Sequence, residues 1–121
     1  MKENTKLSPF NLAFLGDAVY SLFVREKLAK TNLPIKELNE KANAIVSAVS
    51  QAKTFEIIKN LLTKEETEIF KRGRNIHTHS RPKSATVAEY HIATGFETLM
   101  GYLYIEGKID RIKELIDKTG I

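Results

Sequence analysis

Apolar residues recur at steps of three and four along most of this chain, the period of helices that pack by one side. Between Leu12 and Val24 the pattern thickens. Leu12, Leu15, Val19, Leu22 and Phe23 form one stripe, and Ala13, Phe14, Ala18, Tyr20 and Val24 fill most of the remaining surface. A helix that is apolar on nearly every side is expected to be enclosed by neighbours. Ser8 and Pro9 supply its start as N-cap and first-turn proline, and the run Thr31-Asn32-Leu33-Pro34 ends it after about Lys30. A second amphipathic pattern opens near Pro34 or Ile35 and continues through Leu38, Ala42, Ile45, Val46, Val49, Ala52 and Phe55. It either runs on through Ile57, Ile58, Leu61 and Leu62 or bends on the way. Thr63 and Glu66 make a capping box for a short helix to about Lys71; Gly73 then reads as punctuation, and residues 74–83 as loop. A further helix begins between Ser84 and Thr86 and reaches about Ile105, where Glu106-Gly107-Lys108 breaks it. The last helix covers roughly Ile109 to Lys118, with Ile109, Ile112, Leu115 and Ile116 as its buried side. No run alternates as a strand between hairpin turns would. The expected fold is an all-α bundle of five to seven helices.

Two acids interrupt this pattern. Asp17 sits in the middle of the most apolar helix, directly after Gly16. Glu97 lies on the line Ala93, Glu97, Met100, Gly101 and Tyr104, flanked by Phe96, Leu99 and Leu103. A carboxylate in apolar surroundings is costly unless it is paired, solvated or bound to a cation. Each acid is also close to a glycine, and small residues let helices approach and leave room for a ligand. If the two acids converge, they offer what a hard divalent cation needs, since Mg2+ takes one or two carboxylates together with water and phosphate oxygens. Such an ion activates water and stabilises a phosphoryl oxygen. Spacing alone leaves the other reading open, in which both acids are simply exposed or salt-bridged.

Charge localises a second feature. The chain has 121 residues, enough for one domain with its own core, and no cysteine, so neither a disulfide framework nor a cysteine-bearing metal site. Net charge is +4. Lys71, Arg72, Arg74, Arg81 and Lys83 fall in one segment without an acid and account for more than that whole excess. Together with Asn75 and His77 they are candidate contacts to a polyanion, most simply the phosphates of a nucleic acid, and Ser80 could add a hydrogen bond. A solvated loop is the plainer reading. His77-Thr78-His79 could also be taken as a metal pair, although it lacks a helical or cysteine context. No stretch approaches the roughly 20 apolar residues of a membrane helix. Nothing at the polar N-terminus resembles a signal peptide, so a cytoplasmic location is expected.

Residues 12–19, Leu-Ala-Phe-Leu-Gly-Asp-Ala-Val, resemble the signature helix of the ribonuclease III family. Residues 93–103, Ala-Thr-Gly-Phe-Glu-Thr-Leu-Met-Gly-Tyr-Leu, resemble that family's second acidic motif. The run Arg-Gly-Arg-Asn at 72–75 and the stretch from Lys83 to Glu89 are similar to its short Mini-ribonuclease III branch, which has the catalytic domain without a double-stranded-RNA-binding domain. The resemblance covers about residues 8 to 118. It implies a homodimeric, Mg2+-dependent endoribonuclease, with Mn2+ able to substitute, acting on double-stranded RNA and associated with maturation of the large-subunit ribosomal RNA precursor. By the same resemblance Asp17 and Glu97 are the catalytic, metal-binding acids, and the products carry 5′-phosphate and 3′-hydroxyl ends. The chain departs from longer family members at Phe10 and Thr94, where those carry further acids. An additional metal-site glutamate between the motifs has no clear counterpart, Glu40 being only a candidate.

Two other readings bear on function. A domain of this fold with so few acids could hold structured RNA without cutting it; retention of both Asp17 and Glu97 favours the enzyme. A helical dimerisation protein would explain the apolar helices but neither the basic segment nor the acids. Tyr20, one turn from Asp17, is most simply core, and the roles of His77 and His79 stay open.

Overall fold

The computed structural model describes residues 7–76 and 83–121. These residues form six α-helices, α1 (Pro9–Ala29), α2 (Ile35–Ile45), α3 (Ala48–Ile58), α4 (Lys64–Arg74), α5 (Val87–Ile105) and α6 (Ile109–Asp117), with a 3-10 turn at Lys59–Leu61. No strand occurs among the described residues.

The starts follow the sequence closely. The Ser8 hydroxyl accepts from the Asn11 amide at 3.0 Å, with Pro9 in the first turn. Thr63 and Glu66 make a reciprocal capping box for α4, and Thr86 and Glu89 make a second one for α5. These side chains satisfy backbone donors that a helix start leaves open. The long second pattern is two helices. The chain bends at Val46–Ser47, and Ser47 caps α3 by accepting from the Ser50 amide at 3.2 Å.

Helix α5 is the element that the others pack upon: α1, α3, α4 and α6 all lie against it. Phe96, Leu99, Met100 and Leu103 are buried in the resulting core with Tyr20, Val24, Ile58, Ile112, Leu115 and Ile116. Each fully buried side chain of this size stabilises the fold by about 1.5–3 kcal/mol. The Tyr20 and Phe96 rings meet edge to face at 4.8 Å, and Phe55 stacks on Phe70 at 3.8 Å.

Glycines set two of these crossings. A Cβ on Gly16 would stand 1.6 Å from the Glu97 carbonyl oxygen, and one on Gly101 would stand 2.1 Å from the Leu12 carbonyl oxygen. Helices α1 and α5 therefore touch backbone to backbone. At the crossing of α4 and α5, a Cβ on Gly73 would lie 2.1 Å from Thr98 Oγ1, and one on Gly95 would meet the Phe70 ring at 2.7 Å. Gly73 is thus interior to α4 and does not end it. It is needed for close approach, which is why α4 runs on to Arg74 instead of stopping near Lys71.

The expectation that α1 is enclosed on nearly every side is corrected. Phe10, Phe14 and Leu22 are 63%, 82% and 59% exposed, and Ala18 is exposed with them. Spaced by four, they form an apolar face without a partner among the described residues. Elsewhere a buried acid is fully compensated. Glu66 receives Arg111 Nε at 2.9 Å and Nη2 at 2.8 Å, and Arg111 also donates to the Leu61 carbonyl at 2.8 Å. Burial pushes the Glu66 carboxyl up, but the Arg111 guanidinium outweighs it and holds the group below the ordinary carboxylate value.

Candidate functional site

The backbone contact at Gly16 and Gly101 brings Asp17 and Glu97 side by side. Asp17 follows Gly16 directly, and Glu97 is the residue whose carbonyl faces Gly16. Both acids line one pocket of about 180 Å³, walled by Phe10, Ala13, Phe14, Ile76, Tyr90 and Thr94. Asp17 stands at the exposed side, and Glu97 is half-buried. Burial pushes the Glu97 carboxyl up to about 8; the amide of Gln51 opposes this, and the Asp17 charge adds to it. Two carboxylates facing each other repel, and they are a donor set that a divalent ion fits.

Among the described residues no three acids, histidines or cysteines are grouped so that they could hold a metal ion, so Glu40, exposed on α2, does not join the pair. Phe10 and Thr94 both line the pocket, so these two positions beside the acids are apolar and neutral. The Thr94 hydroxyl is turned to the Tyr90 carbonyl at 3.0 Å.

The basic segment reaches the same place. Lys71, Arg72 and Arg74 lie in the last turn of α4, where the helix C-terminus favours cations. Arg74 is oriented by Nε donating to Asn75 Oδ1 at 3.3 Å and by its guanidinium lying 5.8 Å from the Phe70 ring centre. Ile76 follows and forms part of the acid pocket. It is shared with an open hollow lined by Arg74, Asn75 and His91. Asn75 and Lys83 are exposed. His77, His79 and Arg81 lie outside the described residues, as does Ser80.

Sequence reasoning missed Gln51. It is 1% exposed, and its Nε2 donates both to Glu97 Oε2 at 3.2 Å and to the Val46 carbonyl at 2.9 Å. The signal was present as a polar residue on the stripe Ala48, Gln51, Ala52, Phe55 and Ile58. His91 was also passed over, for want of any motif around it. Tyr20 is core, as expected, fully buried with its hydroxyl beside Thr54.

Comparison with known proteins adds to this geometry. The family description Ribonuclease III domain matches residues 11–108. The chain is 45% identical over 112 residues to Mini-ribonuclease 3 of Thermoanaerobacter sp. (strain X514), covering 92% of this chain and 79% of that protein. It is 42% identical over 111 residues to Mini-ribonuclease 3 of Symbiobacterium thermophilum, covering 91% and 85%. A crystal structure of a protein from Fusobacterium nucleatum superposes with a TM-score of 0.86 at 37% identity, covering 97% of this chain and 94% of that one.

Proposed function

Since this chain belongs to the ribonuclease III family, in its Mini-ribonuclease III branch, and is an endoribonuclease, we propose that it hydrolyses double-stranded RNA at the pocket of Asp17 and Glu97. The observation that carries this reading is the meeting of two carboxylates from distant helices in one pocket that the basic segment adjoins. The whole chain serves as one catalytic domain, and a ribosomal RNA precursor is the proposed natural substrate.

Asp17 and Glu97 would hold a Mg2+ ion, or Mn2+ in its place, which when bound supplies water activation and charge neutralisation for hydrolysis to 5′-phosphate and 3′-hydroxyl ends. The protein's own part is to hold the two carboxylates facing one another and to line the pocket around them with Phe10, Phe14, Ile76 and Tyr90. Lys71, Arg72, Arg74, Asn75 and Lys83 bind the phosphates, with His77 and Arg81 continuing the same segment. An A-form duplex is recognised mostly by shape, 2′-hydroxyls and phosphates, so these residues set affinity more than sequence choice. The direct test is incubation with a plain duplex and with a structured ribosomal RNA precursor, with Mg2+ and with EDTA. Cuts confined to paired regions and lost in EDTA are expected. Binding without cuts in any condition would refute the reading.

Two further outcomes follow from named residues. Replacing Arg72, Arg74 and Lys83 by alanine should weaken duplex binding and lower the slope of log affinity against log salt by roughly one for each phosphate left without its cation. Binding titrations from low to moderate salt check this, and an unchanged slope would take the segment out of the interface. The exposed face of Phe10, Phe14, Ala18 and Leu22 supports a homodimer built on α1. Phe14→Asp should then give a folded monomer where the parent is a dimer, read by sedimentation. Because Phe14 is 82% exposed, the helix content should not change. A parental monomer at micromolar concentration would end the dimer proposal.

A further inference from the structure

Glu66 and Glu97 are both poorly exposed glutamates, and the chain treats them differently. Glu66 is 5% exposed and is met by the guanidinium of Arg111 on both of its oxygens. That is the usual way to bury an acid, with charge opposing charge. Glu97 is met by an amide. Gln51 Nε2 reaches Glu97 Oε2 at 3.2 Å, and the same nitrogen is anchored on the Val46 carbonyl at 2.9 Å. The Val46 carbonyl can only accept, so the amide faces it through its nitrogen, and that anchor fixes its orientation. Its Oε1 is left buried with no partner. Such an orphan acceptor costs free energy, and a leucine at this position would avoid that cost. The site keeps this unfavourable group on α3, and its donor serves Glu97 and the Val46 carbonyl together.

A neutral donor also differs from a cation in what it leaves behind. Lysine or arginine at position 51 would hold the Glu97 carboxylate more strongly. It would also cancel its charge and oppose any cation arriving at the pocket. The amide fixes one oxygen and leaves the negative charge of the pair in place. Val46, the other anchor, is the C-cap of α2, so the corner between α2 and α3 is tied to the acid through one side chain.

We propose that Gln51 is the positioning residue for Glu97, a neutral donor that orients the carboxylate beside Asp17 and leaves the pair's charge available to a divalent cation. This rests on the reading of Asp17 and Glu97 as the cation-binding acids. Its test uses Gln51→Leu, with Gln51→Met as the longer, unbranched alternative should the leucine misfit, and Asp17→Asn in parallel. Mn2+ binding is measured by calorimetry, fold by thermal unfolding, and cleavage of a duplex by separate kcat and KM. Both Gln51 variants should still fold cooperatively, with an unfolding temperature near the parent's, since removing the orphan acceptor offsets the lost donations to Val46 and Glu97. Their Mn2+ dissociation constant should rise roughly 10- to 100-fold, with a comparable fall in kcat, the scale seen when the hydrogen-bond partner of a metal ligand is removed. KM for RNA should stay within about twofold, because the phosphate-binding residues lie elsewhere. A variant that folds and keeps both parental Mn2+ affinity and parental kcat would overturn the proposal. If instead Asp17→Asn binds Mn2+ like the parent, the acid pair itself has been misassigned, and that failure is distinct from Gln51's.

Discussion

Asp17→Asn and Glu97→Gln are each expected to lower duplex cleavage by roughly a thousandfold or more, the scale of several kcal/mol of lost charge stabilisation. Neither variant should lose its fold, and Glu97→Gln should gain stability in the metal-free protein. The reason is the cost of the carboxylate. Burial, with the Asp17 charge adding to it, pushes the Glu97 carboxyl from its ordinary 4.5 up to about 8. In the unfolded chain the group ionises near 4.5, whereas the folded chain keeps the proton until about pH 8. The unfolded state therefore binds fewer protons across that window, and stability from this group, full below about 4.5, is lost as pH rises towards 8. Glu97→Gln removes that slope. Thermal unfolding without metal at pH 5 and pH 8 should show a larger fall for the parent than for the variant, and added Mg2+ should restore the parent alone. Equal pH dependence would mean that Glu97 is better solvated than its burial indicates. Cleavage at near the parental rate by either variant would remove that residue from the catalytic site.

The second large effect is expected at Gly16. Gly16→Ala places a methyl group 1.6 Å from a backbone oxygen of Glu97, which cannot turn aside as a side chain can. The two helices must separate, and the expected loss is about 3 kcal/mol or more, at the upper end of overpacking costs. Activity should fall beyond what instability explains, because a displacement of about 1 Å between reacting groups can cost a hundredfold. Gly107→Ala is the fitting comparison. That residue has φ +74° with nothing within 4 Å, so its substitution strains only a local turn, at about 1 kcal/mol. Denaturant midpoints rank the two. A Gly16→Ala protein as stable as Gly107→Ala would show that the α1–α5 crossing yields more easily than its distances imply.

Much of this was readable in the chain, and what was not has physical reasons. Helix starts were clear because caps are local: Ser8, Thr63 and Thr86 each act on a backbone amide three residues on. The pairing of Asp17 with Glu97 was suggested by a glycine near each, although contact between two helices cannot be derived from one strand of sequence. Gly73 shows the limit. A glycine late in a helix either ends it or admits a neighbour, and only the presence of Thr98 and Gly95 opposite decides which. The exposed face of α1 was hidden for a similar reason, since Phe10, Phe14 and Leu22 are as apolar as any core residue and composition cannot say which partner covers them. Gln51 was overlooked because a single polar residue on an apolar stripe gains meaning only from what stands across from it.

The backbone contact between α1 and α5 also governs when the site comes into being. Asp17 and Glu97 are eighty residues apart in the chain. During synthesis at about 5–20 residues per second, α1 emerges roughly 4–16 s before its partner helix has been made. Throughout that interval a growing chain holds one acid, an unformed pocket and no crossing at Gly101. The ribosome is the richest store of structured RNA a nuclease could meet, and the unfinished protein faces it without a cutting edge. Under the proposed assignment, hydrolytic capacity is thus delayed until α5 has been made and has met α1, by topology alone.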